Sequence, residues 1–123
     1  MNKLNEFFDW DGFVDGKVFQ VVQIGPWKDF NDKKIVYGSM ITLVITEDDT
    51  DYLDPNTTNL FEKLVVKIHA NMDIISKYVK LGDVVDPVGV TAKLTGRPSG
   101  TFVNFGLSVE CKGFNDADGN KLI

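Results

Sequence analysis

The composition of the chain is that of an ordinary folded domain and excludes several other classes. With 123 residues, of which 43% are hydrophobic, the sequence is long enough for one domain with its own core and too apolar for a disordered tract. The single cysteine excludes an internal disulfide, and no apolar run approaches the roughly 20 residues of a membrane helix. The net charge of −5 argues against a polyanionic partner unless the charges are segregated. We therefore expect a single-domain cytoplasmic protein.

The N-terminal third predicts an aromatic arm followed by two strands. Residues 1–16 are dense in aromatic residues broken by acids and a glycine, and we expect a short arm that packs its rings on the domain. The β-rich stretch 17–24 predicts a first strand that ends at the breaker Gly25-Pro26. Residues 27–34 predict a long hairpin loop, and the period-two run 36–46 predicts the second strand.

The second half predicts a strand, a helix and two further strands. Apolar and polar residues alternate within 60–68, as in a half-buried strand. Asn71 can cap a helix over residues 72–79, which has an apolar stripe at spacings of three and four. A turn then leads to the fourth strand, residues 84–94, and a hairpin loop leads to the fifth, residues 102–111. Proline and glycine inside the fourth strand indicate an edge or a bulge.

Three strands, a helix and two strands predict an all-β fold, a five-stranded OB-fold barrel with a short helix between strands 3 and 4. The chain divides into an N-terminal arm, residues 1–16, an OB-fold domain, residues 17–114, and a short C-terminal tail, residues 115–123. Such barrels are used most often to bind single-stranded nucleic acid or oligosaccharide. The element order therefore predicts a binding surface.

The residues that usually carry catalysis are sparse. His69 is the only histidine, so zinc with its usual ligand sets is excluded, and we expect a surface residue at the end of a strand. Cys111 suits an inward-facing position as a small hydrophobe. The segment Asp116-Ala117-Asp118-Gly119 resembles the opening of a calcium loop but lacks the closing glutamate. We expect a protein that is not an enzyme and uses no cofactor and no metal.

The remaining candidates for a functional site are aromatic and positively charged residues. Acidic residues gather in loops, above all in 47–54, whereas lysines lie on strands or at their edges, which allows one positive face on an acidic protein. A solvated surface of mixed charge is the alternative. Single strands are bound by stacking bases on exposed rings while lysine and arginine follow the phosphates. We expect Trp27 and Phe102 to be exposed, and Tyr37 and Phe61 to pack in the core. The candidate nucleic-acid-binding residues are Trp27, Lys28, Phe30, Lys33, Lys34, Tyr37, Phe61, Lys63, Lys67, Arg97 and Phe102.

One family shares this layout. The similar segments are strand 17–24, strand 63–68, the turn Leu81-Gly82-Asp83-Val84 before a strand that ends at Lys93-Leu94-Thr95-Gly96, and the closing run 102–111. With them, residues 16–114 resemble the small OB-fold single-stranded DNA-binding proteins carried by phages and mobile elements of low-GC Gram-positive bacteria. The resemblance implies sequence-tolerant binding and protection of single-stranded DNA in replication or recombination, in the cytoplasm of the bacterial host. Cellular members end in a long tail with an acidic, Phe-terminated tip, whereas this sequence ends in Lys121-Leu122-Ile123, which weakens the expectation of replication or recombination partners.

Two further expectations concern partners. A short groove and the N-terminal aromatics Phe7, Phe8, Trp10 and Phe13 favour self-association, as a dimer or a higher homo-oligomer. The competing hypothesis is a protein-interaction β-barrel, either a phage structural module or an acidic mimic of DNA. In the mimic, the carboxylates of residues 47–54 would imitate phosphates.

Overall fold

The computed structural model of the chain describes residues 9–50, 58–99 and 102–123, with the side chains of 94–106 outside that description. The fold is mostly β, and a short helix lies between the third and fourth strands, as predicted. No described helix is long and apolar enough to cross a membrane. In chain order the elements are α1 Trp10–Val14, β1 Lys17–Lys28, β2 Val36–Asp48, β3 Lys63–Ile68, α2 Met72–Tyr78, β4 Val85–Val88, β5 Thr91–Ser99, β6 Phe102–Cys111 and β7 Gly113–Asp116.

The main sheet has five strands in the order β1-β2-β3-β6-β5. Neighbours are antiparallel except β3 and β6, which run parallel, and α2 lies in the long connection that a parallel pair requires. Strands β4 and β7 form a second, antiparallel pair. Within the described residues no strand ladder closes the main sheet into a barrel. A single bridge between Gln20 and Val84 joins β1 to the residue before β4.

Several predicted strand boundaries are wrong. The third strand begins at Lys63 rather than Leu60, and two other differences have reasons visible in the backbone. Gly25-Pro26 does not end the first strand, because β1 remains paired with β2 as far as Lys28. At that point β2 is the only ladder neighbour of β1 among the described residues, and an edge strand tolerates the missing N–H of proline. The predicted fourth strand is divided into β4 and β5 next to Gly89, whose φ of 67° favours glycine. Strand β7 was not predicted and crosses the boundary placed after residue 114.

The core lies on one face of the main sheet. Alternate residues of the strands are buried there, and α2 adds Ile75 while its N-terminus is capped by the Asn71 side chain, which accepts the Ile74 N–H at 2.9 Å. Cys111 is buried, as expected. The buried strand residues include Phe19, Val21, Ile41, Leu43, Ile45, Leu64, Val66, Ile68 and Val109.

Helix α1 packs its aromatic residues against this core. The Trp10 ring stacks on Phe19 with 6.5 Å between centroids and lies 5.7 Å from the Phe13 ring. Two of the four rings expected to support self-association are thus engaged within the chain. The other two, Phe7 and Phe8, lie outside the described residues.

A buried ion pair, which no local pattern in the sequence predicts, joins the beginning of β1 to the end of β2. The side chains of Lys17 and Asp48 are 1% and 0% exposed, with Nζ and Oδ1 3.4 Å apart. Lys17 Nζ also donates to Thr50 Oγ1 at 2.7 Å, and Asp48 Oδ2 accepts the Asn59 N–H at 2.8 Å. These contacts hold both ends of the segment between β2 and β3, and they direct one carboxylate of the acidic run 47–54 into the protein.

Candidate functional site

The face of the main sheet opposite the core is called the outer face below. It carries the residues of each strand that alternate with the buried ones. Because side chains alternate along a strand, the residues between the buried ones lie on this face. Three of the predicted site residues, Trp27, Lys63 and Lys67, are among them. The outer face consists of Gln23, Gly25 and Trp27 of β1, Gly38, Met40, Thr42 and Val44 of β2, Lys63, Val65 and Lys67 of β3, Thr91 and Lys93 of β5, and Ser108 and Glu110 of β6.

Four side chains meet at one end of this face and form what we call the ring cluster: Trp27, Tyr37, Lys67 and His69. The Trp27 centroid lies 5.4 Å from that of Tyr37 and 4.7 Å from that of His69. Lys67 Nζ lies over the Trp27 ring, 5.4 Å from its centroid, a geometry in which the cation is attracted to the electron-rich ring face. His69 Nδ1 is 3.1 Å from the Tyr37 carbonyl oxygen. The fold therefore unites three of the predicted site residues with a fourth, His69, to which we had assigned no role.

Two glycines shape the sheet around Trp27. Gly38 is paired with Trp27 across the β1–β2 ladder, and a Cβ at Gly38 would lie 2.0 Å from the Ile68 carbonyl oxygen. Gly25, two residues before Trp27 on the same face, has no atom within 4 Å of an added Cβ. The backbone of Ile68 and His69 therefore fills the space beside Gly38, which is buried. Gly25 leaves open space on the other side, from which a flat ligand can approach the Trp27 ring.

Residues 29–35 form the β1–β2 loop, and Asp29 ties this loop to the ring cluster. Its carboxylate accepts the N–H groups of Asn31 at 3.0 Å and Asp32 at 2.8 Å, and the Tyr37 hydroxyl donates to its other oxygen. The Tyr37 hydrogen bond, followed by that of Asp32, holds the pKa of Asp29 below its usual value. The same hydrogen bond to a carboxylate raises the pKa of Tyr37. The loop conformation and the position of the Tyr37 ring are therefore coupled.

The β1–β2 loop presents a ring and cations to solvent. Phe30 is 93% exposed, so nothing in the described structure covers this large apolar side chain. Lys28 at the end of β1 and Lys33 and Lys34 in the loop are exposed as well. These predicted residues thus lie beside the ring cluster, in a loop whose backbone Asp29 holds.

The other predicted residues lie farther away. Lys63 pairs with Val44 whereas Lys67 pairs with Met40, so about 13 Å of strand separates the two lysines. Phe61 lies beyond Lys63 and is 72% exposed, and its N–H donates to the Ile45 carbonyl at 2.8 Å. The prediction that Phe61 packs in the core is wrong.

Tyr37 was also expected in the core, and this too is wrong, because Tyr37 is 43% exposed. Its hydroxyl is held by Asp29 outside the core. Arg97 and Phe102 lie on the paired strands β5 and β6 near the hairpin between them, with side chains outside the described part of the chain.

The Cys111 thiol is placed where it has little reactivity. Burial raises the pKa of the Cys111 thiol to about 12, which keeps the thiol protonated and poorly nucleophilic at neutral pH. In residues 9–50, 58–99 and 102–123, no three His, Cys, Asp or Glu side chains are grouped to hold a metal ion. What the outer face offers is aromatic surface, cations and polar groups.

No family model, curated protein or solved structure matches the chain. A function therefore has to follow from the ring cluster, the β1–β2 loop and the charges of the outer face.

Proposed function

We propose that the chain is a non-enzymatic, sequence-tolerant binder of single-stranded DNA that uses the outer face of its sheet. The observation that carries this proposal is the position of Lys67 Nζ over the Trp27 ring, 5.4 Å from the centroid. Proteins bind single strands by stacking bases on rings and neutralising the adjacent phosphates with cations. A base stacked at Trp27 would have its phosphate within reach of Lys67.

The strand arrangement supports an OB-type barrel as the scaffold in this proposal. An OB fold is a five-stranded, partly open barrel that binds oligonucleotides on the face of strands 2 and 3 and with adjoining loops. Here an antiparallel β1-β2-β3 meander, the parallel β3·β6 pair and the β5–β6 hairpin follow in that order. The Val21 N–H donates to the Asp83 carbonyl at 2.8 Å, which brings β1 to the segment before β4. The ring cluster lies where β2 begins and β3 ends.

The placement of charge supports a polyanionic ligand despite the net charge of −5. In the acidic run 47–54, the Asp48 carboxylate is buried against Lys17. A partner that binds phosphates therefore cannot contact Asp48. This weakens the DNA-mimic alternative. Because the whole protein is acidic, we expect only modest affinity. The lysines on the outer face or the β1–β2 hairpin are Lys28, Lys33, Lys34, Lys63, Lys67 and Lys93.

In this proposal the protein protects and extends single strands during replication or recombination of a phage or mobile element, in the cytoplasm of a Gram-positive host. Self-association would extend the short binding face along a strand. Because Trp10 and Phe13 pack on the core, the contact between copies would rest on residues other than these two.

Intrinsic fluorescence tests the proposal directly. In a Trp10→Phe background, Trp27 is the remaining tryptophan, and we expect oligo-dT to quench its emission at low salt. Trp27→Ala should weaken binding by about 1–3 kcal/mol, which is roughly 5- to 150-fold. The Trp10→Phe variant should bind as the wild type does.

Trp27 is half-buried, so the melting temperature of the alanine variant has to be measured together with its affinity. A folded Trp27→Ala protein with wild-type affinity would remove Trp27 from the site. The absence of binding to any oligonucleotide at low salt would refute the proposed function.

A further inference from the structure

A small polar cavity opens on the outer face between β5 and β6. Its volume is about 110 Å³, and Thr91, Lys93, Ser108 and Glu110 line it. Thr91 pairs with Glu110 and Lys93 with Ser108 in the antiparallel ladder, and the one rung between these pairs, Ala92 with Val109, faces the other side of the sheet. All four therefore face away from the core.

The cavity is continuous with the proposed DNA-binding face. In the ladders Lys67 lies between Met40 of β2 and Glu110 of β6, and Glu110 is in turn paired with Thr91. Adjacent strands are about 4.8 Å apart, so the cavity begins about 5 Å from the strand that carries Lys67. A DNA strand that runs across the sheet from the ring cluster, on the side of Lys67, would reach this cavity next.

The lining groups suit the edge of a base better than a phosphate. Glu110 only accepts hydrogen bonds, Lys93 only donates them, and the hydroxyls of Thr91 and Ser108 do both. A carboxylate repels a phosphate, whereas it readily accepts a hydrogen bond from the exocyclic amino group of cytosine. Thymine has a carbonyl oxygen at the corresponding position. Because this oxygen and the Glu110 carboxylate both only accept hydrogen bonds, they would repel each other. The small volume favours a pyrimidine over a purine.

We propose that this cavity is a subsite for one cytosine of the bound strand, with Glu110 accepting from the N4 amino group and Lys93 donating to the ring carbonyl. The inference rests on the proposed function and adds to it. Binding remains tolerant of sequence along the strand, with a bias toward cytosine at this position.

Paired oligonucleotides test the subsite. At one fixed salt concentration, wild-type protein should bind oligo-dC about 5- to 150-fold more tightly than oligo-dT of the same length, the discrimination expected of a well-formed base contact. Glu110→Gln keeps the side-chain shape but replaces the carboxylate by an amide that can also donate, and it should reduce the ratio of the two affinities toward one.

Glu62→Gln is the matched control, because Glu62 is an exposed residue just before β3 and lines no part of the cavity. It removes the same charge and should raise both affinities slightly without changing their ratio. Equal wild-type affinities for the two oligonucleotides, or an unchanged ratio in Glu110→Gln, would overturn the subsite while leaving the proposed function intact. If neither oligonucleotide binds, both proposals are refuted.

Discussion

Replacing Lys67 with methionine should reduce the salt dependence of DNA binding by one phosphate contact. Methionine keeps an unbranched side chain on β3 but removes the ammonium group that lies 5.4 Å from the Trp27 centroid. For single strands the slope of log affinity against log salt is about −0.7 for each phosphate contacted. Lys93 is assigned to the base subsite, and if the other five lysines of the outer face and the β1–β2 hairpin all contact phosphates, the wild-type slope is about −3.5.

Loss of the Lys67 contact should therefore bring the slope to about −2.8. Over a fourfold rise in salt, from about 50 to about 200 mM, that one contact accounts for a ~2.6-fold loss of affinity. The variant should consequently bind more weakly than the wild type at low salt, and the two affinities should converge as salt rises. Fluorescence anisotropy of labelled oligo-dT at four or five salt concentrations measures both slopes.

Lys77→Met is the matched control. Lys77 is an exposed lysine in the last turn of α2, which lies off the main sheet, and its removal changes the net charge by the same amount. We expect its slope to equal that of the wild type. A wild-type slope for Lys67→Met would refute the assigned phosphate contact, and equal reductions in both variants would show that net charge rather than the outer face determines the salt dependence.

Four further predictions concern groups around the site and in the core. Lys17→Met leaves the buried Asp48 carboxylate without its cation and should cost about 3–5 kcal/mol of unfolding free energy in urea titrations. Asp29→Asn should lower the pKa of Tyr37 toward about 10, as followed by phenolate absorbance. Because folding depresses the pKa of Asp29, its ionised form stabilises the protein above about pH 4, and this contribution should disappear as pH falls through the folded-state pKa. The Cys111 thiol, with a pKa of about 12, should resist alkylation at neutral pH until denaturant is added.

The sequence by itself determined the order and type of most elements, because these depend on local patterns. Alternation of apolar residues identified β2 and β3, and an asparagine before an apolar stripe identified α2 and its cap. The run Phe102–Cys111 was predicted with both of its boundaries. The expectation of a buried Cys111 followed from the same alternation and is confirmed, and His69 is exposed after the end of β3, as was also expected.

Only the tertiary structure decided which of these residues meet. Gly25-Pro26 is a local pattern typical of a strand end. Because β1 stays paired with β2 beyond these two residues, the strand continues to Trp27 and Lys28. The ladder pairs Trp27 with a glycine. It also brings Trp27 next to Tyr37 of β2 and to Lys67 and His69 at the end of β3, all of which are separated from Trp27 along the chain.

The Lys17–Asp48 pair and the position of Glu110 beside Lys67 were likewise invisible in the sequence. A charged residue on a strand carries no local mark of the partner that strand pairing will place opposite it. Periodicity fixes which face of a strand a side chain occupies, because the repeat is a property of the backbone. Register and strand order, which result from packing between distant segments, fix what that side chain contacts.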